Sequence, residues 1–218
     1  MSTFSQMPLP LSYRTAYDRE EYMVSTANAE AVQWIDAYPN WPQHALLLVG
    51  EEGSGKTHLA TVFSKNRVDA RDLMIDKVPF LPEKVVVEDI DDVANEDILF
   101  HLYNYVRENN RFVLMTAQTL PFWQKPDVKT RMSTLPVVRI APPDDVLMMS
   151  LLMKQFKERQ VLVESGVISY LLTHLDRSYA AIRNLVEKAD RLSLAQKRAL
   201  TIPLVKEALA QMEKEKLL

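Results

Sequence analysis

Cysteine is absent from the chain of 218 residues. Disulfide bridges, thiolate nucleophiles and cysteine-based zinc sites are therefore excluded. The histidines are few and stand far apart, at His44, His58, His101 and His174, and they show no metal-ligand spacing. The sequence thus gives no reason to expect a metal centre held by cysteine or histidine.

Long apolar runs are also missing. No stretch approaches the roughly 18 consecutive apolar residues of a transmembrane helix, and the N-terminus lacks the basic and then apolar layout of a signal peptide. We therefore expect a cytoplasmic protein without a membrane partner. The formal net charge of −3 provides no basic field of the kind that nucleic-acid binding requires. Direct sequence-specific binding to DNA is accordingly not expected.

Glycine is scarce, and its placement is informative. Three of the four glycines lie in the segment 50–57, which reads GEEGSGKT. This segment fits the G-x-x-x-x-G-K-[ST] phosphate-binding pattern, which requires a strand before the loop and a helix after it. The apolar run 45–49 suits a buried strand, and 58–63 reads as a helix. The alternative is an ordinary glycine turn before a helix.

The motif predicts a role for each position of the loop. Backbone amides at the start of the helix would cradle phosphate groups. Lys56 would reach the β- and γ-phosphates, and Thr57 would ligate Mg²⁺. The loop residues expected to bind the ligand are Gly50, Gly53, Ser54, Gly55, Lys56 and Thr57.

A second apolar run, 85–87, ends in Glu88 and Asp89. In phosphate-loop proteins an acid at the end of a neighbouring strand holds the Mg²⁺ shell, and a second acid can polarise water. The alternative is that acids simply end a strand at the surface. Because an aspartate reaches less far than a glutamate, we expect little turnover from Asp89. Thr116 ends a further strand and could contact the γ-phosphate, or be an ordinary strand residue.

Strand and helix patterns alternate up to residue 141, whereas only helical patterns follow. Such alternation implies a mainly parallel sheet covered by helices. We therefore predict an α/β core at 15–141, an all-helical domain at 142–218 and an extended or disordered tail at 1–14. Within the core, a helix is expected at 20–37 and a short strand around 73–75.

The sequence leaves the roles of two arginines, Arg131 and Arg183, undecided. Arg131 follows the strand 112–116 as one of several basic residues that could simply be solvated. Arg183 borders the apolar stripe of its helix, where Glu187 at i+4 offers an exposed ion pair. Neither arginine stands out from the sequence pattern alone.

The tail carries the other distinctive motif, formed by Gln6, Leu9, Pro10 and Leu11. Prolines lower the entropic cost of binding in an extended conformation. An amide and two leucines could engage an apolar pocket on a partner. The alternative is that the tail folds back on its own domain.

Taken together, these motifs resemble those of the DnaA-related AAA+ proteins. The resemblance is carried by the segments 50–59, 88–90, 99–104, 115–117, 130–132, 182–185 and 200–207. It implies a P-loop AAA+ core followed by a small helical lid domain. The chain departs from the family pattern at Glu88, where Asp is usual, at Thr130, where Ser is usual, and in the short stretch 57–85.

The resemblance also implies ligands and partners. ADP, or ATP, would be bound with Mg²⁺; His58 belongs to the family's loop motif, and Arg183 would read the phosphates from the lid. Arg131 falls at the family's arginine finger, which would act across an AAA+ interface on ATP held by DnaA. The segment 6–11 fits the Q-x-x-L-P-L pattern of ligands of the DNA polymerase sliding clamp.

These roles together predict a negative regulator of DNA replication initiation. It would be a nucleotide-bound adaptor with weak or no ATPase activity of its own, which binds the sliding clamp and promotes hydrolysis of DnaA-bound ATP. Because the sequence ends with the lid helices, we expect no helix-turn-helix DNA-binding domain. The alternatives are a DnaA-like loading factor of the replisome and a small-molecule kinase that uses the same loop. The chain could also form homo-oligomers.

Overall fold

The computed structural model describes residues 22–216, and of Lys216 only the backbone. The tail motif of Gln6, Leu9, Pro10 and Leu11 lies outside the described residues. Its interpretation therefore stays a prediction.

Strands alternate with helices in the first part of the described chain, and only helices follow. The strands are β1 Ala45–Val49, β2 Arg67–Asp69, β3 Lys84–Glu88, β4 Phe112–Ala117 and β5 Val137–Arg139. The α-helices are α1 Ala29–Asp36, α2 Lys56–Phe63, α3 Asp97–Glu108, α4 Pro126–Met132, α5 Asp145–Glu158, α6 Ser165–His174, α7 Tyr179–Gln196 and α8 Ile202–Lys216. Short 3-10 turns lie between several of these elements.

The five strands form one parallel sheet in the order β2, β3, β4, β1, β5. Strand β4 thus lies between β1 and β3, and Leu48 of β1 is paired with Thr116 of β4. Parallel strands all end at the same edge of their sheet, where ligands of open α/β sheets bind. The loops that follow β1, β3 and β4 therefore meet at one place.

Strand β1 is buried on both faces, which explains its uninterrupted apolar sequence. Leu46 and Leu48 pack in one apolar layer with residues of α1 and α2. Leu47 and Val49 pack in the opposite layer with residues of α3. The sheet is thus covered by helices on both sides, and β1 is an interior strand between β4 and β5.

Helices α5 to α8 surround an apolar core of their own, which contains Leu152 and Phe156. Side-chain caps define where two of these helices begin. The Asp144 carboxylate accepts a hydrogen bond from the Leu147 amide at 2.8 Å, and the Ser178 hydroxyl accepts one from the Ala181 amide at 3.1 Å. Such caps satisfy amides that have no partner within the helix.

The predicted mainly parallel α/β core followed by helices is confirmed, whereas the boundaries at 14/15 and 141/142 stay predictions. Two local predictions were wrong. Within the described residues, the helix expected at 20–37 covers only Ala29–Asp36. The Asn28 side chain holds the preceding segment in turns, because it accepts from the Ser25 amide and donates to the Met23 carbonyl, both at 2.8 Å.

The strand expected around 73–75 is the second correction. The edge strand is Arg67–Asp69, which pairs with β3, and Leu73 instead packs into the core from an irregular segment. Leu73 is buried without strand pairing, whereas Met74 and Ile75 are exposed, so the apolar character of this segment did not indicate a strand. None of the helices between residues 22 and 216 is long and apolar enough to cross a membrane.

A matched pair of substitutions tests the core of α5 to α8. Leu152 is 0% exposed and Leu162 is 93% exposed. Leu152→Ala should lower the free energy of unfolding by about 2–5 kcal/mol, because it removes buried methyl groups and leaves a cavity. Leu162→Ala should change it by less than about 0.5 kcal/mol. Urea unfolding followed by circular dichroism measures both, and equal losses would contradict the packing described.

Candidate functional site

The loop between β1 and α2 has the backbone geometry that its glycines predict. Gly53 and Gly55 have φ angles of +79° and +91°, which glycine adopts at little cost. Gly55 directly precedes the first residue of α2. A Cβ atom on Gly55 would lie 3.1 Å from the Tyr22 ring, so the position is restricted in space as well as in conformation.

Lys56 is only 8% exposed and points back into the loop. Its ammonium donates hydrogen bonds to the carbonyl oxygens of Gly50 at 2.6 Å and Glu51 at 3.0 Å. Burial lowers the pKa of Lys56, and the charge of Asp89 opposes that shift. Within the described residues no carboxylate makes an ion pair with this ammonium, so an anionic ligand would find an uncompensated cation in the loop.

Ser54 provides a second sign that the loop is built for a ligand. Its side chain is 3% exposed, and its hydroxyl has no hydrogen-bond partner among residues 22–216. A buried polar group without a partner costs stability, and in native proteins it calls for an explanation such as a bound ligand or water. A phosphate oxygen in the loop would supply the missing partner.

The acids at the end of β3 lie beside the loop, as predicted, and the carboxylate of Glu88 is engaged. Glu88 accepts a hydrogen bond from the Thr57 hydroxyl at 3.3 Å. Its other carboxylate oxygen accepts from Arg67 Nε at 3.0 Å and Nη2 at 2.6 Å. The charge of Glu88 is therefore already balanced by an arginine on β2.

Asp89 has a left-handed backbone conformation, with φ of 54°, which aspartate tolerates better than most residues. Its amide donates to the Thr116 hydroxyl at 3.1 Å. Burial raises the pKa of the Asp89 carboxyl, and the charge of Lys56 opposes that shift. The Thr116 hydroxyl thus holds the backbone of Asp89, and its contact with a γ-phosphate stays a prediction.

The side chains fit a Mg²⁺ ion that is held chiefly by ligand phosphates and water. Thr57 and Glu88, the two expected ligands, lie side by side. Among residues 22–216 no three His, Asp or Glu side chains converge on a metal position, so the protein offers no complete cage of its own. Mg²⁺ usually keeps several waters and few protein ligands in nucleotide sites.

A cleft of about 100 Å³ lies between the loop, the segment before α1 and the C-terminal helices. Its walls include Tyr22, Met23, Asn28, Gly53, Ser54, Gly55, His58, Leu147, Leu151, Lys154 and Tyr179. The Tyr22 and His58 rings meet edge to face, with 5.0 Å between their centres. The cleft is largely apolar at one end and reaches the phosphate loop at the other.

Arg183 lies at the phosphate loop, where it pairs with a glutamate, and binding of a nucleotide phosphate by Arg183 stays a prediction. Its Nη2 atom donates to the Glu52 carboxylate at 2.9 Å, and the hydrogen bond and charge of Arg183 lower the pKa of Glu52. The alternative pairing with Glu187 is wrong, because Glu187 pairs with Arg191. Helix α7 therefore contacts the phosphate loop through this arginine.

Arg131 is the predicted site residue that the structure keeps apart from the loop. Its Nε atom donates to the Asn104 side-chain oxygen at 3.3 Å. Its guanidinium lies 5.2 Å from the Phe100 ring centre and 5.8 Å from that of Tyr103. All of these partners belong to α3, and none belongs to the loop, so Arg131 occupies a separate surface.

Three site residues were missed in the sequence. Arg67 lies in a segment without clear periodicity, Tyr22 precedes α1, and Tyr179 begins α7. Only the fold brings Tyr22 and Tyr179 to the glycine loop, and Arg67 reaches Glu88 because β2 pairs with β3. No local pattern could have identified them.

Comparisons with known proteins agree with this geometry. Residues 145–209 match the family described as Hda, lid domain. The chain is similar to domain III of the replication initiation protein DnaA from Thermotoga maritima, with 13% identity and a TM-score of 0.74 over 89% of this chain and 96% of that one. The chain therefore has an AAA+ fold like that of DnaA domain III, with a helical lid that matches the Hda lid family.

Two further structures extend the likeness of this AAA+ protein. AMPPCP-bound DnaA from Aquifex aeolicus is 15% identical, with a TM-score of 0.61 over 77% of this chain and 63% of that one. The Thermotoga maritima RuvB Holliday junction branch migration motor is 13% identical, with a TM-score of 0.62 over 77% and 61%. The predicted P-loop AAA+ core with a helical lid is thus confirmed.

The joint between the AAA+ core and the lid offers a test that depends on pH. The Tyr179 hydroxyl donates to the Ala141 carbonyl at 3.1 Å, so Tyr179→Phe should lower the free energy of unfolding by about 1 kcal/mol at neutral pH. Burial raises the pKa of Tyr179 from 10.0 to about 12. The stabilisation is therefore complete below the unfolded pKa and is lost as the pH rises through the folded one.

The variant lacks that titration, so between pH 7 and pH 11 the wild type should lose about 1.4 kcal/mol more than the variant. The deficit of about 1 kcal/mol at pH 7 should therefore be cancelled at pH 11. Urea unfolding of both proteins at the two pH values measures the change. A deficit that stays constant would show that the hydroxyl is not buried as described.

Proposed function

We propose that this protein is a nucleotide-bound adaptor that promotes hydrolysis of ATP held by DnaA, while tethered to the sliding clamp. Such an adaptor would act in the cytoplasm and lower the amount of DnaA that is competent to initiate replication. The observation that carries the proposal is the position of Arg131. Contacts with α3 orient its guanidinium on a surface away from the phosphate loop of the same chain.

Binding of an adenine nucleotide by the chain itself is supported by the loop. The buried ammonium of Lys56 and the unpartnered hydroxyl of Ser54 both suit phosphate oxygens. The neighbouring cleft, with Tyr22 and Tyr179 in its walls, suits a ring system. The similar DnaA from Aquifex aeolicus is bound to AMPPCP, a nucleotide analogue. The resemblance of the motifs favours ADP as the bound nucleotide. Arg183 would then leave its ion pair with Glu52 and bind a phosphate of the nucleotide instead.

Weak turnover of that nucleotide is supported by the state of the two acids. Efficient hydrolysis needs a carboxylate that can orient water next to the γ-phosphate. Glu88 is paired with Arg67, and the backbone of Asp89 is held by the Thr116 hydroxyl, while burial raises the pKa of its carboxyl. Mg²⁺ would supply charge neutralisation between phosphates when bound by Thr57 and Glu88. The nucleotide would then serve mainly to hold the lid against the core.

Action of Arg131 on a partner's nucleotide is supported by its contacts. Stacking on Phe100 and Tyr103 extends the guanidinium in one orientation, and within residues 22–216 no carboxylate neutralises it. A cation ordered in advance loses little entropy when it engages a charged group. An arginine that reaches the transferred phosphoryl group stabilises the charge of the transition state.

A kinase acting on small molecules is less well supported. Such an enzyme would need several lid arginines directed at the phosphates. Among the described residues, Arg159, Arg177 and Arg191 pair with acids of the lid itself. Only Arg183 faces the loop in that part of the chain.

Replacing Arg131 with Ala tests the finger. ATP bound to DnaA should be hydrolysed roughly 10³–10⁵ times more slowly with the variant than with the wild type, since the transition-state charge loses its cation. Lys129→Ala, which removes an exposed positive charge from the same helix, should leave the rate unchanged. The measurement is single-turnover hydrolysis with ATP-loaded DnaA and clamp on DNA.

Stimulation at the wild-type level by Arg131→Ala would overturn the proposed role. Turnover of free ATP with a small-molecule acceptor, in the absence of DnaA, would favour the kinase instead. Binding to DNA without the clamp, with a steep salt dependence, would favour the loading factor.

The tail is tested separately. Gln6→Ala combined with Leu9→Ala should abolish clamp binding, because it removes the amide and one apolar anchor of the motif. Met7→Ala, at a variable position of the same motif, should bind like the wild type. Surface plasmon resonance on immobilised clamp measures the affinities, and unchanged urea midpoints show that the fold is retained. Full affinity of the double variant would disprove the assignment.

A further inference from the structure

A second cavity, of about 330 Å³, lies beside Arg131 on the surface of α3 and α4. It is lined by Asn104, Arg107, Glu108 and Arg131. Arg107 is exposed at the end of α3, where the sequence suggests nothing more than a solvated charge. The structure brings it to the same cavity as the predicted finger.

The guanidinium groups of Arg107 and Arg131 both contact the ring of Tyr103. The centre of the Tyr103 ring lies 5.4 Å from Arg107 and 5.8 Å from Arg131. Arg107 also donates to the Tyr103 hydroxyl at 3.3 Å. Two like charges thus contact one ring and line one cavity, where their repulsion is relieved when an anion binds to both.

Neither arginine is neutralised within the described part of the chain. Glu108 lines the cavity but makes no ion pair with Arg107 or Arg131 there. Each guanidinium has five N–H donors, and Arg131 uses one on Asn104 while Arg107 uses one on Tyr103. The remaining donors can meet an anion with several oxygen acceptors.

A phosphoryl group has the matching chemistry. Its oxygens accept paired hydrogen bonds from the forks of two arginines, and its charge is compensated by both. A single carboxylate offers only two oxygens and one negative charge. The cavity is therefore better suited to a phosphate than to an acidic side chain.

We propose that Arg107 and Arg131 form one two-arginine site for the terminal phosphate of a nucleotide held by the partner molecule. This inference rests on the proposed function of Arg131. Arg131 acts as the arginine finger on the terminal phosphate. Arg107 binds the same phosphate and compensates part of its negative charge. Glu108 opposes this binding and limits the affinity for free phosphate, so that an anion is bound well only when the partner presents it.

The site is tested first by hydrolysis of DnaA-bound ATP. Arg107→Ala should slow the stimulated rate by about 10- to 100-fold, the effect of losing a charge-assisted contact. Glu108→Gln should raise the rate or the apparent affinity severalfold, because it removes the opposing charge. Lys129→Ala serves as the control for a change in overall charge, and Arg107→Lys, which keeps the charge without the fork, should give an intermediate rate.

The outcomes separate this inference from the proposed function. If Arg131→Ala retains stimulation, the proposed function fails. If Arg131→Ala loses stimulation while Arg107→Ala behaves like Lys129→Ala, only the two-arginine site is overturned. Loss of stimulation with Arg107→Ala but no gain with Glu108→Gln would overturn the opposing role of Glu108.

A direct measurement uses the purified full chain and inorganic pyrophosphate. The arginine Nε–H signals of Arg107 and Arg131 should shift together in a nuclear magnetic resonance titration and follow one binding curve. In Arg107→Ala the Arg131 signal should need at least about fivefold more pyrophosphate, as expected when one of two cations is lost. An unchanged Arg131 curve would contradict a shared site, and unchanged urea midpoints exclude unfolding as the cause.

Discussion

The buried ammonium of Lys56 is the constraint on which the nucleotide site depends. A charge at 8% exposure is tolerated only because loop carbonyl oxygens accept its hydrogen bonds. Gly53 and Gly55, with positive φ angles, form the turn that joins those carbonyls to Lys56. The concentration of glycine in this loop and the burial of Lys56 are therefore two aspects of one requirement, and the strand β1, buried on both faces, holds the whole loop in place.

The strand order then decides what surrounds the ammonium. Because β4 separates β1 from β3, the Thr116 hydroxyl reaches the backbone of Asp89 and fixes the second acid. Because β2 extends the sheet beyond β3, Arg67 reaches the first acid, Glu88. One acid is thus paired, and the other is half-buried with its backbone held by a hydrogen bond. This arrangement suits the retention of a nucleotide better than its rapid hydrolysis.

The features that could be predicted from the sequence are those whose signal is local. The strand, glycine loop and helix around 50–57, the acids at the end of β3 and the helices that follow residue 144 each depend on neighbouring residues, and the structure contains them. Arg183 illustrates the limit: the local i+4 rule pairs it with Glu187, but the fold offers Glu52, which is 131 positions away. Arg67 and Tyr22 escaped notice for the same reason, since their partners are determined by sheet order and by chain packing.

Two arginines, Arg183 and Arg131, differ in a way that clarifies how one chain can hold one nucleotide and act on another. Arg183 is satisfied within the molecule by Glu52, and this ion pair connects the lid to the loop. Arg131 rests on neutral groups of α3, which orient its guanidinium but leave its charge uncompensated. A cation that is oriented but not neutralised is stabilised further by an incoming anion, whereas Arg183 must first give up a carboxylate. The ion pair of Arg183 therefore connects the lid to the loop, whereas the guanidinium of Arg131 suits a phosphate that arrives with a partner.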